Sequence, residues 1–208
     1  MKRIIISSAV LILFGAFTFC AAADKQATKK VVEDLKTAFT GETTASAKYA
    51  AYAEKAKEEG LNKIALLFEA ASKAESIHAG NHKAALEQLG EDVPEVEPKY
   101  EVMSTAENLK DAIKGETYES TTMYPDFIKD ASKGKVTIAS ISFNYAYRTE
   151  LKHKALYEEA LKALERNKVD SLASMYQVCP TCGNTYAGEA PERCGICMTS
   201  RDRFMTIE

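Results

Sequence analysis

The tetrapeptides Glu75-Ser-Ile-His78 and Glu150-Leu-Lys-His153 each set a carboxylate and an imidazole three residues apart. On a helix that spacing puts both on one face. A Gly-Glu-Thr segment precedes each at nearly the same distance: 33 residues separate Glu42 from Glu75, and 34 separate Glu116 from Glu150. The chain therefore reads as two copies of one helical pair. Packed as a bundle, two such halves bring together a Glu from each of two helices and a Glu-x-x-His from each of the others, the ligand set of a carboxylate-bridged dinuclear metal site. A single Glu-x-x-His is ordinarily a solvated face. Here Ile64, Leu67, Phe68 and Ala71 lead onto the face of Glu75 and His78, and Ile138, Ile141 and Tyr145 onto that of Glu150. Acids on a core-facing stripe carry a heavy desolvation cost that bound cations remove. Carboxylate with imidazole suits iron or manganese better than zinc.

The two copies are not identical. FTGETTASAKY at 39–49 and IKGETYESTTMY at 113–124 share Gly-Glu-Thr and a following tyrosine, but Glu119 stands where the first copy has Ala45. Glu116 and Glu119 share a helical face, so only the second copy aims two acids at one spot. His82, one turn beyond His78 and without an equivalent in the fourth helix, reads either as a surface residue or as a support behind the ligands.

Helical spacing of Val32, Leu35, Phe39, Glu42 and Tyr49 predicts a first helix from Asp24 to about Glu59. After the turn signal at Glu59-Gly60, a second helix runs to Leu89 and stops at Gly90. The prolines at 94 and 98 exclude helix from the next segment. A third helix starts at Ser104, a capping residue with Glu107 three positions on, and ends at Gly134; a fourth spans about Thr137 to Asn167. Each helix is about 40–55 Å long. The proline-containing connection, roughly 14 extended residues, reaches about 45 Å. It can return the chain along the whole bundle. A mainly α, four-helix bundle with one long crossover is the ferritin-like arrangement.

Four of the five cysteines fall in the tail: Cys179-x2-Cys182, eleven residues, then Cys194-x2-Cys197. This spacing predicts one tetrahedral four-thiolate site for zinc or iron. A disulfide pair is the alternative in an exported chain. The expected organisation is a leader at 1–23, the bundle at 24–167, a linker at 168–175 and a small thiolate domain at 176–208.

The amino terminus has a basic start, an apolar stretch from Ile4 to Phe19 and Ala21-Ala22-Ala23, the order of a cleaved secretory signal peptide. Retention as a membrane anchor and lipidation of Cys20 are the alternatives. Loss of Lys2 and Arg3 with the leader leaves 25 basic against 30 acidic residues. That balance points away from nucleic acid. The expected location is the periplasm.

Taken together, the Gly-Glu-Thr segments, both Glu-x-x-His motifs, CPTCG and CGIC resemble the rubrerythrins over residues 24–208. Members join a ferritin-like diiron bundle to a short rubredoxin-like domain. The resemblance implies two irons in the bundle and one at Cys179, Cys182, Cys194 and Cys197. It implies Glu42, Glu75, Glu119, Glu150 and His153 as standing ligands, and Glu116 and His78 as a pair that alternates with redox state. Tyr49 and Tyr124 match tyrosines that orient the carboxylates by hydrogen bonds. The implied activity is reduction of hydrogen peroxide to water, with electrons passing from an unidentified redox protein through the four-cysteine iron. A homodimer is implied too, the thiolate domain of one subunit lying near the diiron site of the other. Gly195 replaces the proline usual in the second cysteine knuckle, which predicts a looser loop there. The main rival is an iron-oxidising, ferritin-type protein with a structural zinc tail; a third reading makes the bundle an interaction module.

Overall fold

The computed structural model describes residues 13–208, with side chains from Gln26 onward apart from Ala27. The leader expected over 1–23, Cys20 included, lies outside the residues whose side chains are described. Among the described residues no helix is long and apolar enough to cross a membrane.

The helices are α1 (Leu13–Glu58), α2 (Asn62–Gln88), α3 (Thr105–Tyr118), α4 (Tyr124–Lys133) and α5 (Thr137–Glu165). A π-helical turn, Glu119–Met123, joins α3 to α4, so these act as one rod and the bundle has four members. Their ends are built alike. After α1, the Leu61 amide reaches the Ala56 carbonyl and the Gly60 amide that of Lys57, with Gly60 at φ +73°. This closes the last turn by a left-handed residue. Gly90 does the same after α2. α4 stops at Gly134 as expected, and the left-handed residue after it is Lys135, at φ +55°; after α5 it is Asn167. Ser104 and Glu107 form the reciprocal capping pair expected at the start of α3.

The crossover is anchored at opposite ends of the bundle. Glu91 faces Lys36 near the start of the described core, and the Thr105 amide, where the crossover ends, bonds Glu59 at the far end of α1. The segment between therefore runs the length of the helices. Two apolar clusters fill the interior. One contains Tyr49, Tyr52, Phe68, Leu109 and Tyr157, the other Val31, Leu35, Leu86, Tyr124 and Phe143. Buried acids and imidazoles lie between them.

On α5 the buried face is Ala139, Ser142, Phe143, Ala146, Thr149, Glu150 and His153. Ile141 is 43% exposed, and Tyr145 packs toward the cysteines instead of the bundle interior. The stripe expected through Ile141 and Tyr145 is thus displaced by one helical step. Small residues occupy the inner face because the carboxylate cluster and its neighbours need the room.

Beyond α5 a 3-10 turn, Val169–Ser171, leads to strands β1 (Tyr176–Val178), β2 (Thr185–Ala187) and β3 (Met205–Ile207). They form an antiparallel sheet in the order β2-β1-β3. The sheet domain packs against α2 and α5 of its own chain: Asn81 Nδ2 donates to the Thr181 carbonyl at 3.0 Å, and Lys152 Nζ to Asn184 Oδ1 at 2.6 Å.

Candidate metal centre

Six of the seven expected bundle ligands converge and are buried: Glu42, Glu75, His78, Glu116, Glu150 and His153. They fall into two overlapping groups, Glu42-Glu75-His78-Glu150 and Glu75-Glu116-Glu150-His153, each with its ligand atoms within 4.8 Å of one another. Glu75 and Glu150 belong to both. His78 Nδ1 lies 2.8 Å from Glu75 Oε2 and 2.9 Å from Glu150 Oε1. His153 Nδ1 lies 3.0 Å from the other oxygen of each. Two acids that each turn one oxygen to either side are placed to bridge two cations.

The donor set fits such cations. Glu42 Oε2, both oxygens of Glu75 and Glu150, Glu116 Oε2 and the Nδ1 atoms of His78 and His153 are buried without a hydrogen-bond partner. So many unsatisfied polar atoms facing one point are costly unless a ligand takes them. Burial, and then the neighbouring carboxylates, hold the carboxyls of Glu42, Glu116 and Glu119 well above their ordinary range. Burial alone would raise Glu150 too, yet His78 and His153 hold it at about 2. Burial would lower the imidazoles, yet the acids lift His153 to about 9 and His78 well above its usual value.

Glu119 belongs to neither ligand group and keeps partial exposure. On the third rod Glu116 stands in the group with His153, and His78 of α2 stands in the other, while the Glu119 carboxyl lies outside both groups but still feels Glu150, Glu75 and His78. The cause is the π turn. Tyr124 donates its amide to the Glu119 carbonyl five residues back, which widens the helix just after Glu116. Pro125, with no amide hydrogen, cannot continue the regular ladder there. Hydroxyls serve nearby carbonyls: Ser120 Oγ to Glu116 O and Thr121 Oγ1 to Thr117 O, both at 2.6 Å.

Each tyrosine holds a carboxylate as expected. Tyr49 donates to Glu116 Oε1 at 2.7 Å, and Tyr124 donates to Glu42 Oε1. His82 is fully buried, which removes the surface reading. Its Nε2 lies 3.1 Å from the Tyr124 hydroxyl and its Nδ1 2.7 Å from Ser142 Oγ. Because the Tyr124 proton goes to Glu42, the phenol oxygen accepts from His82 Nε2–H, and Ser142 donates to Nδ1. Burial and the neighbouring His78 hold His82 at about 3, so it stays neutral. Ser142 was not singled out in the sequence; its place eight residues before Glu150, on one helical face, was the available signal.

The four tail cysteines are free and converge as expected. Sulfur separations of 3.5 Å for Cys179–Cys197 and Cys182–Cys194 rule out disulfides among them, whose bond is about 2.05 Å. They match the edge of a tetrahedron with metal–sulfur bonds of about 2.3 Å. Gly195 is not loose. Its amide donates to the Tyr186 hydroxyl at 2.9 Å, a bond proline cannot make, and its carbonyl accepts from Arg148.

The family profile described as Rubrerythrin matches residues 33–161. The chain belongs to the rubrerythrin family. It is 37% identical to the nigerythrin of Nitratidesulfovibrio vulgaris over 91% of this chain and 93% of that protein. It is 32% identical to rubrerythrin-2 of Clostridium acetobutylicum over 83% and 94%, respectively. A solved structure of fully reduced, all-ferrous nigerythrin superposes with a TM-score of 0.76 at 36% identity, covering 85% of this chain and 86% of that one. An open-pore ferritin of Archaeoglobus fulgidus, 16% identical with a TM-score of 0.57 over 68% of this chain and 88% of that one, shares the bundle fold. As a rubrerythrin-family protein the chain has donor sets for two irons in the bundle and one at the four cysteines.

Proposed function

We propose that this chain is a periplasmic, non-haem iron peroxidase that reduces hydrogen peroxide to two waters with two electrons and two protons. Irons held by Glu42, Glu75, His78, Glu116, Glu150 and His153 would supply those electrons, and an iron held by Cys179, Cys182, Cys194 and Cys197 would relay single electrons from an unidentified redox protein. One observation carries the reading. The Cys182 carbonyl lies 3.1 Å from His78 Nε2, so a cysteine of the thiolate site and an imidazole of the bundle site are joined by one hydrogen bond. A storage protein needs no such return path. This contact is made within one chain.

The protein's own groups prepare the site. Tyr49 and Tyr124 hold one oxygen each of Glu116 and Glu42, leaving the second oxygen of each for metal. Burial among the two apolar clusters keeps bulk water from the carboxylates. The leader provides for export, and the rubrerythrin family supports an oxidoreductase.

The test is anaerobic stopped-flow oxidation of the fully reduced, iron-loaded protein. Peroxide should react faster than dioxygen, and the native protein should show the visible absorption of a ferric tetrathiolate. Faster reaction with dioxygen, or a colourless zinc-filled tail, would favour the ferroxidase instead.

A further inference from the structure

Both metal-facing imidazoles are held from behind by one short stretch of the thiolate domain, Cys182 to Thr185. The Cys182 carbonyl has no proton to give, so the 3.1 Å contact has one sense: His78 Nε2–H donates. Thr185 Oγ1 gives its proton to the Gly183 carbonyl at 3.1 Å, and therefore accepts from His153 Nε2–H at 2.9 Å. With the proton kept on Nε2, the neutral imidazole offers Nδ1 as its donor atom, and both Nδ1 atoms face Glu75 and Glu150.

The loop is shaped for this approach. Gly183 sits at φ +75°, and a Cβ there would stand 2.4 Å from His78 Nε2. Its turn is the cysteine knuckle itself: the Gly183 amide bonds the Cys179 carbonyl at 2.9 Å, and the Cys179 amide bonds the Asn184 carbonyl at 3.0 Å. The conformation that gathers Cys179 and Cys182 is thus the one that presents the carbonyl and hydroxyl to the two histidines.

We propose that metal binding at the four cysteines and at the bundle cluster is thermodynamically coupled through this loop. Filling the tetrathiolate site fixes residues 182–185, which hold His78 and His153 in the orientation and tautomer that bind metal through Nδ1. Bundle affinity rises as a result, and by linkage bundle metal tightens the thiolate site in return. A chain without its electron-return centre therefore loads its bundle poorly. The proposal rests on the reading of the bundle as a dinuclear metal site.

Cobalt(II) is the probe, added anaerobically to full-length protein whose cysteine site carries one equivalent of zinc. Bundle affinity is measured by chelator competition. Wild type should bind two Co(II). Thr185→Val should weaken binding by about 10- to 100-fold, the usual effect of losing a partner behind a metal-bound histidine. Thr185→Ser, which keeps the hydroxyl, should restore it. A Cys179→Ser, Cys194→Ser double variant with unchanged helical circular dichroism should also bind at least about tenfold more weakly. In NMR spectra, the His153 Nε2–H resonance should be protected from exchange in wild type and Thr185→Ser, and lost in Thr185→Val. A wild-type bundle that takes up no cobalt would overturn the dinuclear reading and the coupling with it. A wild-type bundle that binds two, with folded Thr185→Val and double-cysteine variants binding equally tightly, would overturn the coupling alone.

Discussion

Tyr49 donates to Glu116 across 67 positions of sequence, and its counterpart Tyr124 donates to Glu42 across 82. Each half of the bundle thus steadies the carboxylate of the other. The halves differ by one residue. Tyr49 follows Glu42 by seven positions, and Tyr124 follows Glu116 by eight. The π turn at Glu119–Met123 absorbs the extra residue and lets both tyrosines reach their targets.

The two tyrosines should not be equally sensitive to loss of the hydroxyl. Tyr49→Phe removes one partner of Glu116. Tyr124→Phe removes the partner of Glu42 and also strands the buried His82 Nε2. Bundle metal affinity should fall by about 10- to 100-fold in each, with the larger loss of thermal stability in Tyr124→Phe, since an unsatisfied buried donor costs about 1–3 kcal/mol. Equal melting temperatures for the two variants would contradict the His82–Tyr124–Glu42 chain.

On the third rod, Glu116→Ala removes a member of the ligand group around His153, and Glu119→Ala removes a carboxylate outside both groups. Iron analysis of the reduced protein after gel filtration should find close to two bundle irons in Glu119→Ala and fewer in Glu116→Ala. The opposite ranking would make Glu119 the standing ligand and Glu116 the exchangeable one.

Deleting Thr122, an exposed residue of the π turn, should convert that turn to regular helix. Tyr124 would then follow Glu116 by seven positions, about two full turns and the spacing by which Glu42 and Tyr49 both face the interior. Helix content by circular dichroism and two-metal binding should therefore both persist. Loss of metal stoichiometry in a folded deletion variant would show that the widened turn is itself required.

Much of this was legible beforehand for a physical reason: the ligands are set by short-range helical spacing, which a sequence displays directly. The crossover was readable from its prolines and its reach, and the start of α3 from Ser104 and Glu107. What escaped depended on contacts between distant segments. Of the π turn only the extra residue was visible, eight positions from Glu116 to Tyr124 against seven from Glu42 to Tyr49; that the helix absorbs it by widening was not. The ranking of Glu116 and Glu119 followed from that turn. The bonds from Cys182 and Thr185 to the histidines join positions 104 and 32 residues apart, and no local pattern announces them.

The buried acids also fix how stability should vary with pH once metal is stripped by a chelator. Burial and mutual repulsion raise Glu42, Glu116 and Glu119 well above the 4.5 of an exposed glutamate. Above pH 4.5 the unfolded chain releases these protons while the folded chain retains them, so folding loses stability as pH rises through the raised values. His153, lifted to about 9, acts in the same sense: its contribution is complete below 6.5 and lost as pH approaches 9. Glu150, held at about 2, contributes throughout this window and loses its effect only in stronger acid. The metal-free protein should therefore melt at progressively lower temperature from pH 5 to pH 9. Metal opposes the trend, because it binds the deprotonated ligands. At free metal about 100-fold above Kd the gain is about 2.7 kcal/mol, or roughly 5–11 °C for a chain of this size, and it should grow with pH. Calorimetry of chelated and metal-loaded protein at five pH values tests both slopes. A metal-free melting temperature that rose between pH 5 and pH 9 would mean that these carboxylates are not packed together as described.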